Sequence, residues 1–96
     1  MKLVILGGGE SGVGTALLGK KQGYDVFLSD AGNIKDHYKI LLNEAGVNWE
    51  EQKHSVDVIL EADLVMKSPG IPDKVQIIKN IKEKNIPIIS EIEFAY

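Results

Sequence analysis

The chain begins with an apolar run, LVIL at residues 3–6, followed by GGGESGVG at residues 7–14. Gly7, Gly9 and Gly12 match the pattern G-x-G-x-x-G, which indicates nucleotide binding when it follows a strand and opens a helix. A strand, a glycine turn and a helix together place free backbone N–H groups and the positive end of a helix in front of an anion. This stretch therefore predicts a nucleotide-binding loop, and the alternative is a tight strand-to-helix turn without a ligand.

The rest of the chain alternates short apolar runs with segments of helical periodicity. We predict strands at 4–6, 26–28, 47–50, 63–67 and 86–89, and helices at 15–22, 35–45, 56–60 and 74–84. Such alternation predicts an α/β fold, a Rossmann-like three-layer sandwich with a five-stranded parallel sheet. With right-handed crossovers we favour strand order 3-2-1-4-5. The ligand crevice of such a sheet lies at the carboxyl ends of strands 1 and 4, where the winding reverses.

Composition narrows the possible classes of function. We expect residues 1–96 to form one small domain. A net charge of −3 gives no indication of nucleic acid or an anionic membrane as a partner. There is no cysteine, which excludes disulfides and thiolate metal sites, and His37 and His54 are interpreted as surface residues without a ligand partner. The first apolar run is too short for a signal peptide or a membrane span, so a cytoplasmic protein is the default.

Two more features fall on the predicted crevice. Asp30 ends strand 2, 18 residues after Gly12, where dinucleotide folds commonly place an acidic residue that binds a ribose hydroxyl. The alternative is an aspartate that caps the loop beside Gly32. The SPGIP segment at residues 68–72 either contacts a ligand or serves as a rigid connection into the next helix. Glu10 complicates the phosphate loop, because a carboxylate there repels a phosphate unless its side chain points away.

Three blocks of the sequence resemble the Mur ligases, the ATP-dependent amino-acid-adding enzymes of peptidoglycan synthesis. The blocks are LVILGGGESG at residues 3–12, MKSPGIP at 66–72 and IISEIEFAY at 88–96. They occur in the family's order and spacing, and the ESGxG form with SPGIP is nearest to the D-glutamate-adding branch. The resemblance implies a Rossmann-like first domain that holds the UDP part of UDP-N-acetylmuramoyl-L-alanine.

The resemblance also implies a division of labour between domains. ATP, Mg²⁺ and the lysine-bearing P-loop belong to a central domain of the parent enzyme, and the incoming amino acid belongs largely to a C-terminal domain. The chain is then expected to end where the central domain begins, to hold no cofactor or metal of its own, and to carry no catalytic residue. Its expected partners are the UDP-linked substrate and the other two domains of the parent chain.

Carried over by position, the resemblance implies three groups of UDP-binding residues. They are Gly9, Glu10, Ser11 and Gly12 at the uridine and diphosphate, Asp30, Ala31 and Gly32 at the uracil pocket, and Ser68, Pro69 and Gly70 on its other side. Two positions depart from the family: Glu10 stands where an uncharged residue is frequent, and Gly32 where relatives can carry a larger polar or basic side chain. Main-chain contacts are compatible with both departures. Two other readings stay open: an NAD-binding regulatory or dehydrogenase module, and a scaffold domain without a ligand.

Overall fold

The structure, a computed structural model, describes residues 1–68 and 76–90 of the chain. Its elements are β1 Lys2–Leu6, α1 Glu10–Lys21, β2 Asp25–Ser29, α2 Asp36–Glu44, β3 Asn48–Glu50, α3 Val56–Ile59, β4 Leu64–Lys67, α4 Gln76–Glu83 and β5 Ile88–Ser90. The strands form one five-stranded sheet in the order β3-β2-β1-β4-β5, and every pair of neighbours is parallel. The predicted α/β class and strand order are confirmed.

Strand β1 lies at the centre of the sheet because its side chains are apolar on both faces. Leu3 and Ile5 belong to the core that also contains residues of α1 and α2. Val4 and Leu6 belong to the core that contains residues of α3 and α4. All four side chains are fully buried, as expected for a parallel strand covered by helices on both sides. The sheet is therefore the middle layer of three.

The glycine turn is shorter than the sequence indicated. Helix α1 begins at Glu10 rather than at Thr15, so the turn is limited to Gly7–Gly9. The sequence predicted a longer loop because glycine and serine are poor helix formers. Tertiary packing outweighs that preference: a Cβ atom on Gly12 would lie 1.9 Å from the carbonyl oxygen of Gly7. The first turn of α1 can rest directly on the glycine turn only because Gly12 has no side chain.

The other elements begin and end within two residues of their predicted bounds. Predictions for residues 69–75, which include most of the SPGIP segment, fall outside the described residues. The same holds for the closing segment 91–96. That residues 1–96 form a single domain stays a prediction.

Two glycines of α1 provide a matched test of this packing. Gly12→Ala places a methyl group against the Gly7 carbonyl, and we expect it to lower the free energy of unfolding by about 3 kcal/mol or more. Gly14→Ala meets nothing within 4 Å, and because alanine is the better helix former we expect it to raise stability by about 0.5–1 kcal/mol. Urea denaturation of both variants measures the two effects. Equal stability of the two variants would contradict the proposed close contact.

Candidate functional site

The carboxyl ends of β1, β2 and β4 meet at one edge of the sheet, where the direction of winding reverses between β1 and β4. The glycine turn, the loop at 30–34 and Ser68 directly follow these three strands. The structure therefore brings the first two predicted groups of site residues together with Ser68, the first residue of the third group. Pro69 and Gly70, the rest of the third group, lie outside the described residues.

Two backbone hydrogen bonds hold the neighbouring strand ends against the end of β1. The Gly7 amide donates to the Ser29 carbonyl of β2 at 2.9 Å, and the Ser68 amide donates to the Leu6 carbonyl at 3.1 Å. Gly7 has φ of 112°, a left-handed conformation that glycine adopts without steric cost. The chain can thus leave β1 sharply and still pair with β2.

The amides on either side of segment Gly9–Gly12 already have acceptors. Gly8 N donates to a side-chain oxygen of Asp30, and Val13 N makes the first helical bond, to the carbonyl oxygen of Gly9 at 3.0 Å. Between them, the amides of Gly9–Gly12 have no acceptor among residues 1–68 and 76–90, and the N-cap supplies no side-chain bond. Such unpaired donors at the start of a helix are suited to an anion.

Glu10 follows the N-cap and its side chain is exposed. A carboxylate in the first turn is favourable for the helix, because it interacts with the positive end of the helix dipole. The exposed position leaves the backbone N–H of Glu10 in the same row as its neighbours. Glu10 therefore opposes phosphate binding only through the charge of its carboxylate and not by filling the site.

Asp30 uses both carboxylate oxygens within the protein. Oδ2 accepts a hydrogen bond from Gly8 N at 2.6 Å, and Oδ1 accepts one from Gly32 N at 2.8 Å. The carboxylate thereby joins the glycine turn after β1 to the loop after β2. Ala31 lies between these anchors, is exposed, and its amide has no acceptor in the described part of the chain.

The segment after β3 supports the loop at 30–34 through main-chain bonds. Gln52 N donates to the carbonyl oxygen of Gly32 at 2.8 Å, and Lys53 N donates to that of Asp30 at 3.3 Å. The Glu51 carboxylate accepts from Ile34 N at 2.9 Å. The loop is therefore held on one side by the segment that follows β3 and on the other side by the glycine turn.

Lys39 of α2 completes this support. Its Nζ atom lies 2.8 Å from Oε2 of Glu51 and 5.4 Å from the ring centroid of Trp49. The hydrogen bond from Lys39, followed by that from Ile34 N–H, lowers the pKa of Glu51. The same bond to Glu51 raises the pKa of Lys39. Both groups therefore stay charged across the neutral range.

A buried polar cluster beside this loop was not foreseen from the sequence. Ser29 is fully buried, and its hydroxyl donates to Oε2 of Glu50 at 2.7 Å. Glu50, 8% exposed, also accepts from the amide and the hydroxyl of Ser55. His54, interpreted from the sequence as a surface residue without a metal-ligand partner, is half-buried, and its Nδ1 atom lies 2.6 Å from Oγ of Ser29. The Ser29 hydroxyl also lies 3.1 Å from the carbonyl oxygen of Lys53, and the tautomer of His54 determines which atom donates in its contact with Ser29.

Burial raises the pKa of Glu50, but the hydrogen bonds from Ser55 and Ser29 lower it more, and Lys53 adds to them. The net pKa lies below the ordinary value of 4.5. A sequence signal for the cluster existed: Ser29 and Glu50 are polar residues at the ends of two strands predicted to be neighbours, and parallel strands end at the same edge. The cluster was missed because its other two members, His54 and Ser55, follow β3 in a loop whose path the sequence does not reveal.

The described residues contain neither a membrane-spanning helix nor a metal-ligating cluster. No helix there is long and apolar enough to cross a bilayer. No group of three or more metal-ligating side chains was found among those residues. A shallow depression lined by Met1, Gln22, Gly23 and Tyr24 lies at the amino ends of β1 and β2, on the opposite edge from the site.

Comparison with known proteins points to one family. The family model of the MurD N-terminal domain matches residues 2–77. A UDP-N-acetylmuramoylalanine–D-glutamate ligase of Christiangramia forsetii is 63% identical over 94 residues, which cover 98% of this chain and 21% of that protein. The chain thus spans about a fifth of the length of the curated relatives it matches.

Solved structures agree with this relationship. A murein peptide ligase of Psychrobacter arcticus superimposes with a TM-score of 0.88 at 28% identity, over 98% of this chain and 20% of that chain. The UDP-N-acetylmuramate–alanine ligase MurC of Thermotoga maritima does so with a TM-score of 0.83 at 26% identity, over 99% of this chain and 22% of that chain.

Removing the charge of Glu50 tests the buried cluster. The lowered pKa means that the ionised carboxylate stabilises the fold fully above pH 4.5 and loses this effect as the pH falls through the folded-state value. We expect Glu50→Gln to lower the free energy of unfolding by about 2 kcal/mol at pH 7, and by clearly less near pH 3.5. Denaturant unfolding at several pH values measures the difference, with the exposed Glu44→Gln as control. A pH-independent difference would show that the charge of Glu50 does not stabilise the fold.

Proposed function

This chain belongs to the family of MurD N-terminal domains, and we propose that it binds the UDP end of UDP-N-acetylmuramoyl-L-alanine for a ligase that adds D-glutamate. Mur ligases act in peptidoglycan synthesis, so the proposed ligand is a cell-wall precursor. The chain's own share of the reaction is to anchor and position that substrate. We assign it no catalytic group.

One observation carries the proposal, the row of unpaired amides at Gly9–Gly12. Four consecutive N–H groups at the start of α1 have no acceptor among the described residues. They stand at the carboxyl edge of the central strand, beside Ser68 and the loop after β2. A diphosphate offers several anionic oxygens to such donors, and the helix dipole favours its charge.

The loop after β2 supports a uracil contact through its main chain. The amides of Asp30 and Gly32 already donate within the protein, to Glu50 and to the Asp30 carboxylate. The amide of Ala31 has no such acceptor in the described part of the chain and is exposed. We therefore assign the base-side hydrogen bond to the Ala31 amide, which matches the carbonyl oxygens of uracil, and place Ser68 on the opposite wall.

Anchoring at a distance from the reacting carboxylate has a clear catalytic logic. Binding energy from a non-reacting part of a substrate can be used to orient the reacting part. In the proposed parent enzyme the central domain would hold ATP and Mg²⁺. ATP would supply the phosphoryl group that activates the substrate carboxylate, with release of ADP, and the amine of D-glutamate would then displace phosphate. These parts, like a cytoplasmic location, stay predictions for this chain.

The NAD-binding alternative is less well supported by the geometry. Dinucleotide folds use the acidic residue after the second strand to bind a ribose hydroxyl. In this structure both carboxylate oxygens of Asp30 already accept hydrogen bonds from backbone amides. A ribose hydroxyl would have to share these oxygens with the charge-assisted bonds that hold the glycine turn.

Ligand titration followed by NMR tests the proposal. UDP is expected to shift the amide resonances of Gly9–Gly12, Ala31 and Ser68, because these groups line the proposed site. Uridine, which has no diphosphate, should shift Ala31 but leave Gly9–Gly12 nearly unchanged. In a parallel thermal-shift assay UDP should raise the melting temperature more than NADH at equal concentration. Shifts confined to other residues, or a larger effect of NADH, would rule out this site.

Glu10 provides a separate electrostatic test. Its exposed carboxylate lies in the first turn of α1, next to the proposed diphosphate, so Glu10→Gln removes a repulsion. We expect UDP to bind about two- to fivefold more tightly to this variant at low ionic strength, and the gain to shrink in 0.5 M salt because exposed charges are screened. Calorimetric titration of the wild type, Glu10→Gln and the control Glu44→Gln measures the change. A weaker affinity of Glu10→Gln would mean that the Glu10 side chain itself binds the ligand.

A further inference from the structure

Asp30 holds one particular peptide group of the glycine turn, the one between Gly7 and Gly8. The carbonyl oxygen of this group lies against Gly12 of α1, so close that a Cβ there would be 1.9 Å away. The N–H of the same group donates to Oδ2 of Asp30 at 2.6 Å. The carbonyl side of this peptide thus contacts the backbone of α1, and its N–H side is hydrogen-bonded to a carboxylate.

The contact depends on the absence of a side chain at Gly8. A Cβ atom there would lie 2.7 Å from Cγ1 of Ile34 and 3.0 Å from Oδ2 of Asp30. Backbone and carboxylate therefore approach each other directly. If the peptide were turned over, its carbonyl oxygen would face the carboxylate and two acceptors would repel each other. The charge of Asp30 accordingly selects one orientation of the Gly7–Gly8 peptide.

That orientation determines which amides remain for a ligand. Because the Gly8 amide donates to Asp30, the row of amides without an acceptor in the described part of the chain begins at Gly9 and continues into α1. The second oxygen of Asp30 accepts from Gly32 N at 2.8 Å, which ties the base-side loop to the same carboxylate. Only an ionised acid offers two acceptor oxygens and no donor, whereas an asparagine offers one acceptor and a competing donor.

We propose that Asp30 is a positioning residue that acts on the ligand through the glycine turn, and that it couples the diphosphate side of the site to the uracil side without contacting the nucleoside. The inference rests on the proposed function, since it concerns the same UDP site. It differs from the ribose-binding role that the position of Asp30 in the sequence predicted. The two roles predict different effects of an Asp30 substitution on ligands with and without a nucleoside.

A direct nucleoside contact affects only ligands that contain a nucleoside. A positioning role affects every ligand that uses the amides of Gly9–Gly12, including inorganic pyrophosphate. We therefore expect Asp30→Asn to weaken the binding of UDP and of pyrophosphate by the same factor, about tenfold or more, which is the order expected for losing one hydrogen bond to a charged group. In the ligand-free chain, the Gly8 amide proton should also move upfield.

The experiment is an NMR titration of the wild type, Asp30→Asn and Asp30→Glu with UDP and, separately, with pyrophosphate. Asp25→Asn is the matched control, because Asp25 is exposed at the opposite end of the same strand. Asp30→Glu keeps two acceptor oxygens and should restore part of the affinity for both ligands. Should Asp30→Asn fail to fold, the through-hydrogen-bond coupling between Gly8 N and the Asp30 carboxyl carbon in the wild type tests the contact without any substitution.

The outcomes separate this inference from the function on which it rests. A wild type that binds neither UDP nor pyrophosphate overturns the proposed function and the positioning role with it. A wild type that binds both, with a variant that loses only UDP, overturns the positioning role alone and assigns Asp30 to the nucleoside. An unchanged Gly8 amide resonance in Asp30→Asn, or no coupling to the Asp30 carboxyl carbon in the wild type, also overturns it. An equal loss for both ligands, with partial restoration in Asp30→Glu, supports it.

Discussion

The contact between Gly12 of α1 and the carbonyl oxygen of Gly7 is the constraint on which the rest of the site depends. A Cβ at Gly12 would come within 1.9 Å of that oxygen, so the helix can start directly above the end of the central strand only with glycine there. The close approach directs the backbone amides in the first turn of α1 toward the carboxyl edge of the sheet. A helix displaced by the width of a side chain would point its amides elsewhere.

Hydrogen bonds from the neighbouring loops hold the glycine turn in the conformation that this contact requires. A turn made of three glycines has many accessible conformations when isolated. Here its peptide groups are held by partners from β2 and the loop that follows, through Ser29 and Asp30. That loop is in turn held by the segment after β3. These hydrogen bonds therefore connect the segment after the edge strand β3, through the loop after β2, to the glycine turn after the central strand.

The buried cluster around Glu50 shows how a small domain accommodates a charge near such a site. Burying a carboxylate is unfavourable unless its oxygens are hydrogen-bonded. The three donors from Ser29 and Ser55 meet that need, and the pKa of Glu50 lies below its ordinary value as a result. Nδ1 of His54 lies within hydrogen-bond distance of the same serine, on the side of the loop. The cluster joins β2, β3 and the following segment at the edge where the loops must be rigid.

The sequence by itself determined the layers, the strand order and the three loops that meet at the crevice, because apolar periodicity and glycine placement are local properties of the chain. It also indicated Gly9–Gly12, Ala31 and Ser68 as neighbours of one site. Only the tertiary structure decided that α1 starts at Glu10, and that Asp30 gives its oxygens to Gly8 and Gly32. The bond from Gly8 to Asp30 joins residues 22 positions apart, and it exists because the register of β1 with β2 places their ends side by side. Hydrogen-bond partners of this kind depend on sheet register and helix packing, which no local pattern of residues specifies.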